Sequence, residues 1–233
     1  MSTEATPPAG PPPADSDPTV GWCAREVQDE LPDLRLVVAH APVERPVPSR
    51  GRTTSTVHRR LNELSNRFKG ARAVNLRREP IPAAYRVFFR HIGLDPDVTR
   101  TPIEAAVFER MLQGGFPSRG LLADILLISM IDTGVPVWAL DADTLDGPLG
   151  IRLSTEAEPL GRSAQAPLLA GGQLVIADAD AALAVLFGEL APGHEASASS
   201  RRLALFALQV AGVPSLHVEE ALWTCVTLLG KPQ

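Results

Sequence analysis

From Leu121 to Gly134 the chain reads LLADILLISMIDTG, apolar on nearly every side of a helical wheel, with Asp124 as the polar exception. That pattern predicts a buried helix. Over Ser55 to Gly70 the pattern is two-faced. Val57, Leu61 and Leu64 recur at helical spacing, while Arg59, Arg60, Arg67 and Lys69 occupy the other faces, which predicts an amphipathic helix. A further helix is expected over about Pro82 to Ile92, ended by Gly93 in the left-handed conformation. The stretch TRTPIEAAVFERMLQGG is the clearest local signal. Thr101 can cap, Pro102 suits the first helical position, and Glu104 can reach back to complete a capping box. Ile103, Val107, Met111 and Leu112 are expected to form one apolar stripe, with Gly114 and Gly115 as the stop.

Elsewhere the period shortens. Leu34 to Val43, LRLVVAHAPV, predicts a strand, and the runs VPVWAL, LGIRL and QLVIA predict three more after Gly134. A return to helix is expected in all or part of AALAVLFGEL, in Arg201 to Ala211, and in PSLHVEEALWTCVTLLG. In the last of these Leu222, Trp223, Val226 and Leu229 should face the core. Helices, then strands, then mixed elements argue for an α+β fold with a mixed sheet and flanking helices, not a doubly wound parallel sheet. A length of 233 residues suits one compact domain, placed at 20–233. Residues 1–18 are rich in Pro, Ala and Asp and lack large apolar side chains, so they are expected to be a disordered tail.

Composition narrows the function classes. No stretch is apolar enough to span a membrane, and the N-terminus lacks the basic start and apolar region of a secretory signal. Cys23 and Cys225 lie near opposite ends and are expected as free thiols, so the protein is read as cytoplasmic. The whole chain carries −5, yet Arg45 to Arg100 holds 13 Lys and Arg against 4 Asp and Glu, a net of +9. Two readings of that excess stand side by side. It faces a polyanion, or it is a solvated surface balanced by acidic neighbours in space.

Familiar catalytic signatures are missing. There is no P-loop, no GxGxxG after a strand, no HExxH, no GxSxG elbow and no zinc-type cysteine pairing. His217 has no second histidine at helical spacing, so neither a metal nor a cofactor is expected. The GGQ at Gly171 to Gln173 leads straight into LVIA and reads as a turn before a strand. Asp124, on a buried helix, must find a partner, because an unpaired buried carboxylate is costly. Glu189 follows a glycine, where a solvated turn is the ordinary reading.

The run from Ala83 to Ser154 resembles the B3/B4 domain of the phenylalanyl-tRNA synthetase β subunit, and most of all the freestanding proteins made of that domain. The matching features are Tyr85-Arg86, Gly93 with Asp95-Pro96, and the Arg100-Thr101-Pro102 capped helix with Glu104 and Arg110. Pro117, Asp124, Pro136, Asp141, Gly147 and Arg152 follow, and then GGQLVIADADAALAVLFGE. The resemblance covers roughly residues 22–212. It implies tRNA binding and hydrolysis of the ester on a misacylated tRNA, with a misacylated tRNA and an aminoacyl-tRNA synthetase as partners and neither DNA nor a membrane. It also implies no synthetase activity in this chain. By position it points to Glu189, Asp141 and Asp124 as catalytic candidates, with Pro136 and Trp138 in the pocket. For the tRNA backbone the candidates are Arg59, Arg60, Arg67, Lys69, Arg72, Arg77, Arg78 and Arg86.

Four positions depart from the family. Its motif Gly-x-Pro-x-His-x-Phe-Asp reads GVPVWALD here, so Trp138 stands for the histidine. Its asparagines are matched by Gly120 and Leu127, and one glycine of the pair before its glutamate is Phe187. Two functions are therefore expected as alternatives. One is a freestanding trans-editing hydrolase. The other is a non-catalytic RNA- or protein-binding module with a closed or reshaped pocket.

Overall fold

The computed structural model describes residues 17–43, 53–68 and 70–230. Most of the expected tail, and Lys69 among the basic candidates, lie outside the described residues. The chain opens with β1 (Thr19–Val20), β2 (Trp22–Cys23), α1 (Arg25–Glu30) and β3 (Arg35–Pro42). A helical stretch follows: α2 (Ser55–Arg67), α3 (Ala71–Asn75), α4 (Pro80–His91), α5 (Pro102–Gln113) and α6 (Leu121–Thr133). Then come β4 (Val137–Asp141), β5 (Gly150–Leu153), β6 (Glu158–Pro159), β7 (Leu168–Leu169), β8 (Leu174–Ala177), β9 (Ala182–Val185) and β10 (Arg202–Gln209), and α7 (Ser215–Leu229) closes the order.

The first sheet runs β1-β3-β10-β4, antiparallel throughout. The second runs β2-β5-β8-β9, with β2 parallel to β5 and the other pairs antiparallel. This is the α+β arrangement, with a mixed sheet and flanking helices, that the sequence predicts. Gly150 allows the second sheet to form where it does, since a Cβ there would stand 2.0 Å from the Trp22 indole.

Two expected helices are strands. Ala182–Val185 is β9, and Arg202–Gln209 is β10, the strand between β3 and β4 in the first sheet. Both segments are runs of Leu, Ala and Val with few polar residues. A strand covered on both faces shows no alternation, so its sequence looks like that of a buried helix. In β10 six consecutive residues are buried, with α7 packed against the sheet. Sheet pairing over the full length of β3 overrides the helix preference of Leu and Ala.

Two expected apolar stripes also differ. In α5 the capping box forms as predicted and Ile103 and Val107 are buried, but Met111 and Leu112 face solvent. In α7 Leu222 is buried while Trp223 is exposed. α2, α4 and α6 lie close to where they are expected, while α1 and α3 were not anticipated. α6 is seated against α2, α5, α7 and β4, and Ser129 on it donates a 2.7 Å hydrogen bond to the carbonyl of Ala221 in α7. It ends at Gly134, whose φ of +81° permits the left-handed turn into β4. Both cysteines are free, and burial pushes the Cys225 thiol up to about 12.

Candidate functional site

α5, α6 and the start of β4 enclose a cavity of about 370 Å³. Asp124, Pro136 and Trp138 all line it, so three of the residues singled out in the sequence are brought together. Leu126, Leu127 and Met130 of α6 supply much of the remaining wall, with Phe116 from the preceding loop. Gly120 is the N-cap of α6, one turn before Asp124.

Asp124 sits in the first turn of α6 and is fully buried. Its partners are local, a serine and a backbone N–H rather than an arginine side chain. Ser118 Oγ donates to it at 2.6 Å and the Arg119 backbone N–H at 2.8 Å. The helix N-terminus adds a favourable field for the negative charge. The other carboxylate on the cavity wall, Glu109, is paired with the Arg119 guanidinium. Both carboxylates are therefore engaged.

Trp138 occupies the middle of β4, opposite Phe206 of β10 in the register. Their rings stack at 5.7 Å and 15°. Phe187 presses on the indole from the second sheet, 5.5 Å away and edge-on. Between the sheets, where Trp138, Phe187 and Phe206 meet, the residual space is about 10 Å³, no more than the room of a single water. The indole thus forms a wall of the α5–α6 cavity and, with Phe187, a plug between the sheets.

Asp141 and Glu189 are not on that cavity wall. Asp141, at the end of β4, is buried and structural in its contacts. Its Oδ2 accepts from Ser200 Oγ at 2.6 Å and its Oδ1 from the Asp143 N–H at 3.0 Å. Glu189 lies in the turn after β9 with its side chain exposed, and its carbonyl accepts from the Val185 N–H at 2.9 Å.

A second polar cluster lies beyond Asp141. Thr144 Oγ1 donates to the Asp141 carbonyl at 2.8 Å and stands 2.9 Å from His194 Nδ1, which makes Nδ1 the protonated nitrogen of the ring. His194 Nε2 then faces Arg162, whose other terminal nitrogen reaches Asp178 at 2.6 Å. Burial and the Arg162 charge lower the pKa of His194.

The basic candidates divide. Arg60 and Arg67 both reach Asp132 on α6, at 2.8 Å and 3.4 Å. Arg72 lies 3.9 Å from Glu79 and covers the Phe68 ring at 4.3 Å. Arg86 is buried, against the expectation of a phosphate contact. It binds Glu104 at 2.7 Å, Asp97 at 2.5 Å and the Pro96 carbonyl at 3.3 Å. Arg59, Arg77 and Arg78 are exposed and form no salt bridge among the described residues.

Phe187 and Phe206 as partners of Trp138, and the Glu109–Arg119 pair, were not signalled by motif or spacing. The one available signal was an aromatic residue where the resembled family keeps a glycine.

An α+β fold holding an apolar cavity between two helices and a strand is the class defined by this geometry. The chain is 39% identical over 97 residues to the phenylalanine–tRNA ligase beta subunit of Xylella fastidiosa, covering 40% of this chain and 12% of that protein. It is 41% identical over 101 residues to the same subunit of Xanthomonas campestris pv. campestris, covering 42% and 12%. Against Xanthomonas oryzae pv. oryzae the figures are 40% identity over 86 residues, covering 37% and 10%. The chain thus spans about 12% of the length of the first of these relatives. No family model matches it. The matched stretches support a domain related to the phenylalanine–tRNA ligase beta subunit.

Proposed function

We propose that this chain is a tRNA-binding module, related to the B3/B4 region of the phenylalanine–tRNA ligase beta subunit, whose pocket receives an apolar group without hydrolysing an ester. The observation that carries this reading is the state of the cavity wall. Leu127 and Trp138 stand where the resembled family has asparagine and histidine, and both wall carboxylates are engaged by hydrogen bonds or an ion pair. A general base must be free to accept a proton from water within hydrogen-bond reach of the ester. Asp124 is fully buried with a hydrogen bond to each oxygen and Glu109 is held by Arg119, while Glu189 faces solvent and is not on the cavity wall. Exposed Arg59, Arg77 and Arg78 supply the positive surface for phosphates.

The test is paired. A panel of misacylated tRNAs, tyrosyl-tRNA for phenylalanine included, is incubated with the full chain while tRNA binding is followed as a function of salt. The expected result is salt-sensitive binding, weakened in Arg59→Ala and in the Arg77→Ala, Arg78→Ala double variant, with no deacylation above the buffer rate. Deacylation that Glu189→Ala or Asp124→Asn abolishes would establish a trans-editing hydrolase in its place. Affinity unmoved by salt would remove the phosphate contacts.

A further inference from the structure

On the side of α5 away from the cavity lies a second groove, whose lining is about half apolar and half polar. Glu104, Val107, Phe108 and Met111 line a groove of about 300 Å³ with Val74 and Arg77 from the α3 turn. Phe108 is 44% exposed, Met111 51%, Leu112 72%, Val74 61% and Val98 78%. Three of them, Val74, Phe108 and Met111, line the groove itself, while Leu112 lies near the end of α5 and Val98 in the turn before it. Scattered single apolar residues need no explanation, but a concentration of this kind marks an interaction surface.

The charges around the groove indicate the sign of what binds. Its two carboxylates, Asp97 and Glu104, are both held by Arg86. Arg77 and Arg100 also line it and form no salt bridge among the described residues. The open charge at the rim is therefore positive. The apolar residues are mostly aliphatic, and Arg100 already covers the ring of Phe108 at 4.0 Å. That leaves little aromatic face for a nucleobase, which needs a stacking platform. Exposed Met, Phe and Arg together are the composition of a protein-binding patch. From Glu104 to Met111 the groove follows about two helical turns, roughly 11 Å.

We propose that this groove docks an amphipathic helical segment of a partner protein, one that places large apolar side chains at i, i+4 and i+7 between Val74 and Met111 and is acidic on its flank toward Arg100. The mode is helix-in-groove recognition. The surface is separate from the α5–α6 cavity, which uses Pro102, Ala105 and Ala106 on the other side of the same helix.

The test uses the isotopically labelled full chain and a fluorescent synthetic helix of about 16 residues, with Leu at i, i+4, i+7 and i+11 among Glu and Gln. A scrambled peptide of identical composition and a bulk tRNA are the comparison ligands. Saturable binding of the ordered peptide is expected, with amide shifts confined to α3, α5 and the turn before α5. Met111→Glu and Arg100→Glu should each weaken it about tenfold while leaving thermal unfolding unchanged. Val74→Glu, an exposed change on the facing wall of the groove, serves if Met111→Glu lowers the melting temperature. Equal binding of the scrambled peptide, or shifts outside this surface, would overturn the proposal. So would tRNA binding that Met111→Glu weakens as strongly as it weakens the peptide, which would make the groove an RNA site. A concentration-dependent rise in mass that Met111→Glu removes would assign the groove to a second copy of this chain and equally refute it.

Discussion

The ring of Phe187 lies 5.5 Å from that of Trp138, and it is directed there by a backbone φ of 58°. That is the left-handed region, which costs an ordinary L-residue about 1 kcal/mol or more. The same ring packs on Tyr85, Phe88 and Phe89, with centroids 6.3, 6.0 and 4.6 Å away. A strained backbone is thus held by four aromatic side chains, and little space is left between the sheets.

Phe187→Gly separates strain from packing. Removing a packed aromatic ring costs about 3 to 5 kcal/mol, and relief of the left-handed strain returns about 1 kcal/mol. A net loss of about 2 to 4 kcal/mol is expected, read as a lower denaturant midpoint at an unchanged slope. A midpoint equal to that of the parent chain would mean that the ring contributes little.

Asp124→Ala removes the acceptor for Ser118 Oγ and the Arg119 N–H at the start of α6. The expected cost is about 2 kcal/mol, from two hydrogen bonds to a charged acceptor and a lost helix-terminus interaction. Asp124→Asn should lose less, since the amide oxygen still accepts one bond. Chemical denaturation of both variants checks the order.

Arg86→Ala leaves Glu104 without its cation in a largely buried place. Burial works against the Arg86 charge, but its hydrogen bonds and the charges of Asp97 and Glu104 outweigh this and raise its pKa. A loss of about 2 kcal/mol is expected, and Arg86→Ala combined with Glu104→Gln should recover part of it. Equal stability of the single and double variants would deny the coupling.

His194 sets a pH dependence with a definite sign. Its folded pKa lies below the ordinary 6.5, through burial first and the Arg162 charge second. The unfolded chain therefore binds this proton first as pH falls. Stability is complete above pH 6.5 and declines as pH drops through that value toward the folded pKa. His40 acts in the same direction, lowered by burial and by Arg202. Melting temperature measured from about pH 7 to about pH 5 should fall, and His194→Gln should flatten the slope. A variant slope as steep as the parent's would exclude the His194 contribution.

The helices α2, α4, α5 and α6 were legible because each carries its own local instructions. Thr101, Pro102 and Glu104 define one start, Gly114 and Gly134 define stops, and the Val57–Leu61–Leu64 stripe needs no distant partner to be recognised. The cavity was partly legible. Asp124 stood out as a polar residue in an apolar helix and Trp138 as a departure from a motif, and both line it. Phe187 and Phe206 were hidden because an apolar side chain does not announce its neighbours. Trp138 meets them only through the β4–β10 register and the approach of the second sheet.

What the sequence by itself determined is where the longer helices start and stop and that the α6 segment is buried, because caps, stops and an all-round apolar pattern are local. Only the tertiary structure decided that Arg202–Gln209 is a strand, because six buried residues in a row carry no period and pairing with β3 and β4 settles what propensity leaves open. It also decided the fate of the basic segment. Arg60 and Arg67 turn to Asp132, and Arg86 turns inward to Glu104, while Arg59, Arg77 and Arg78 stay exposed. Charge is a property of the residue, but whether it is available to a partner depends on which carboxylates folding brings within reach.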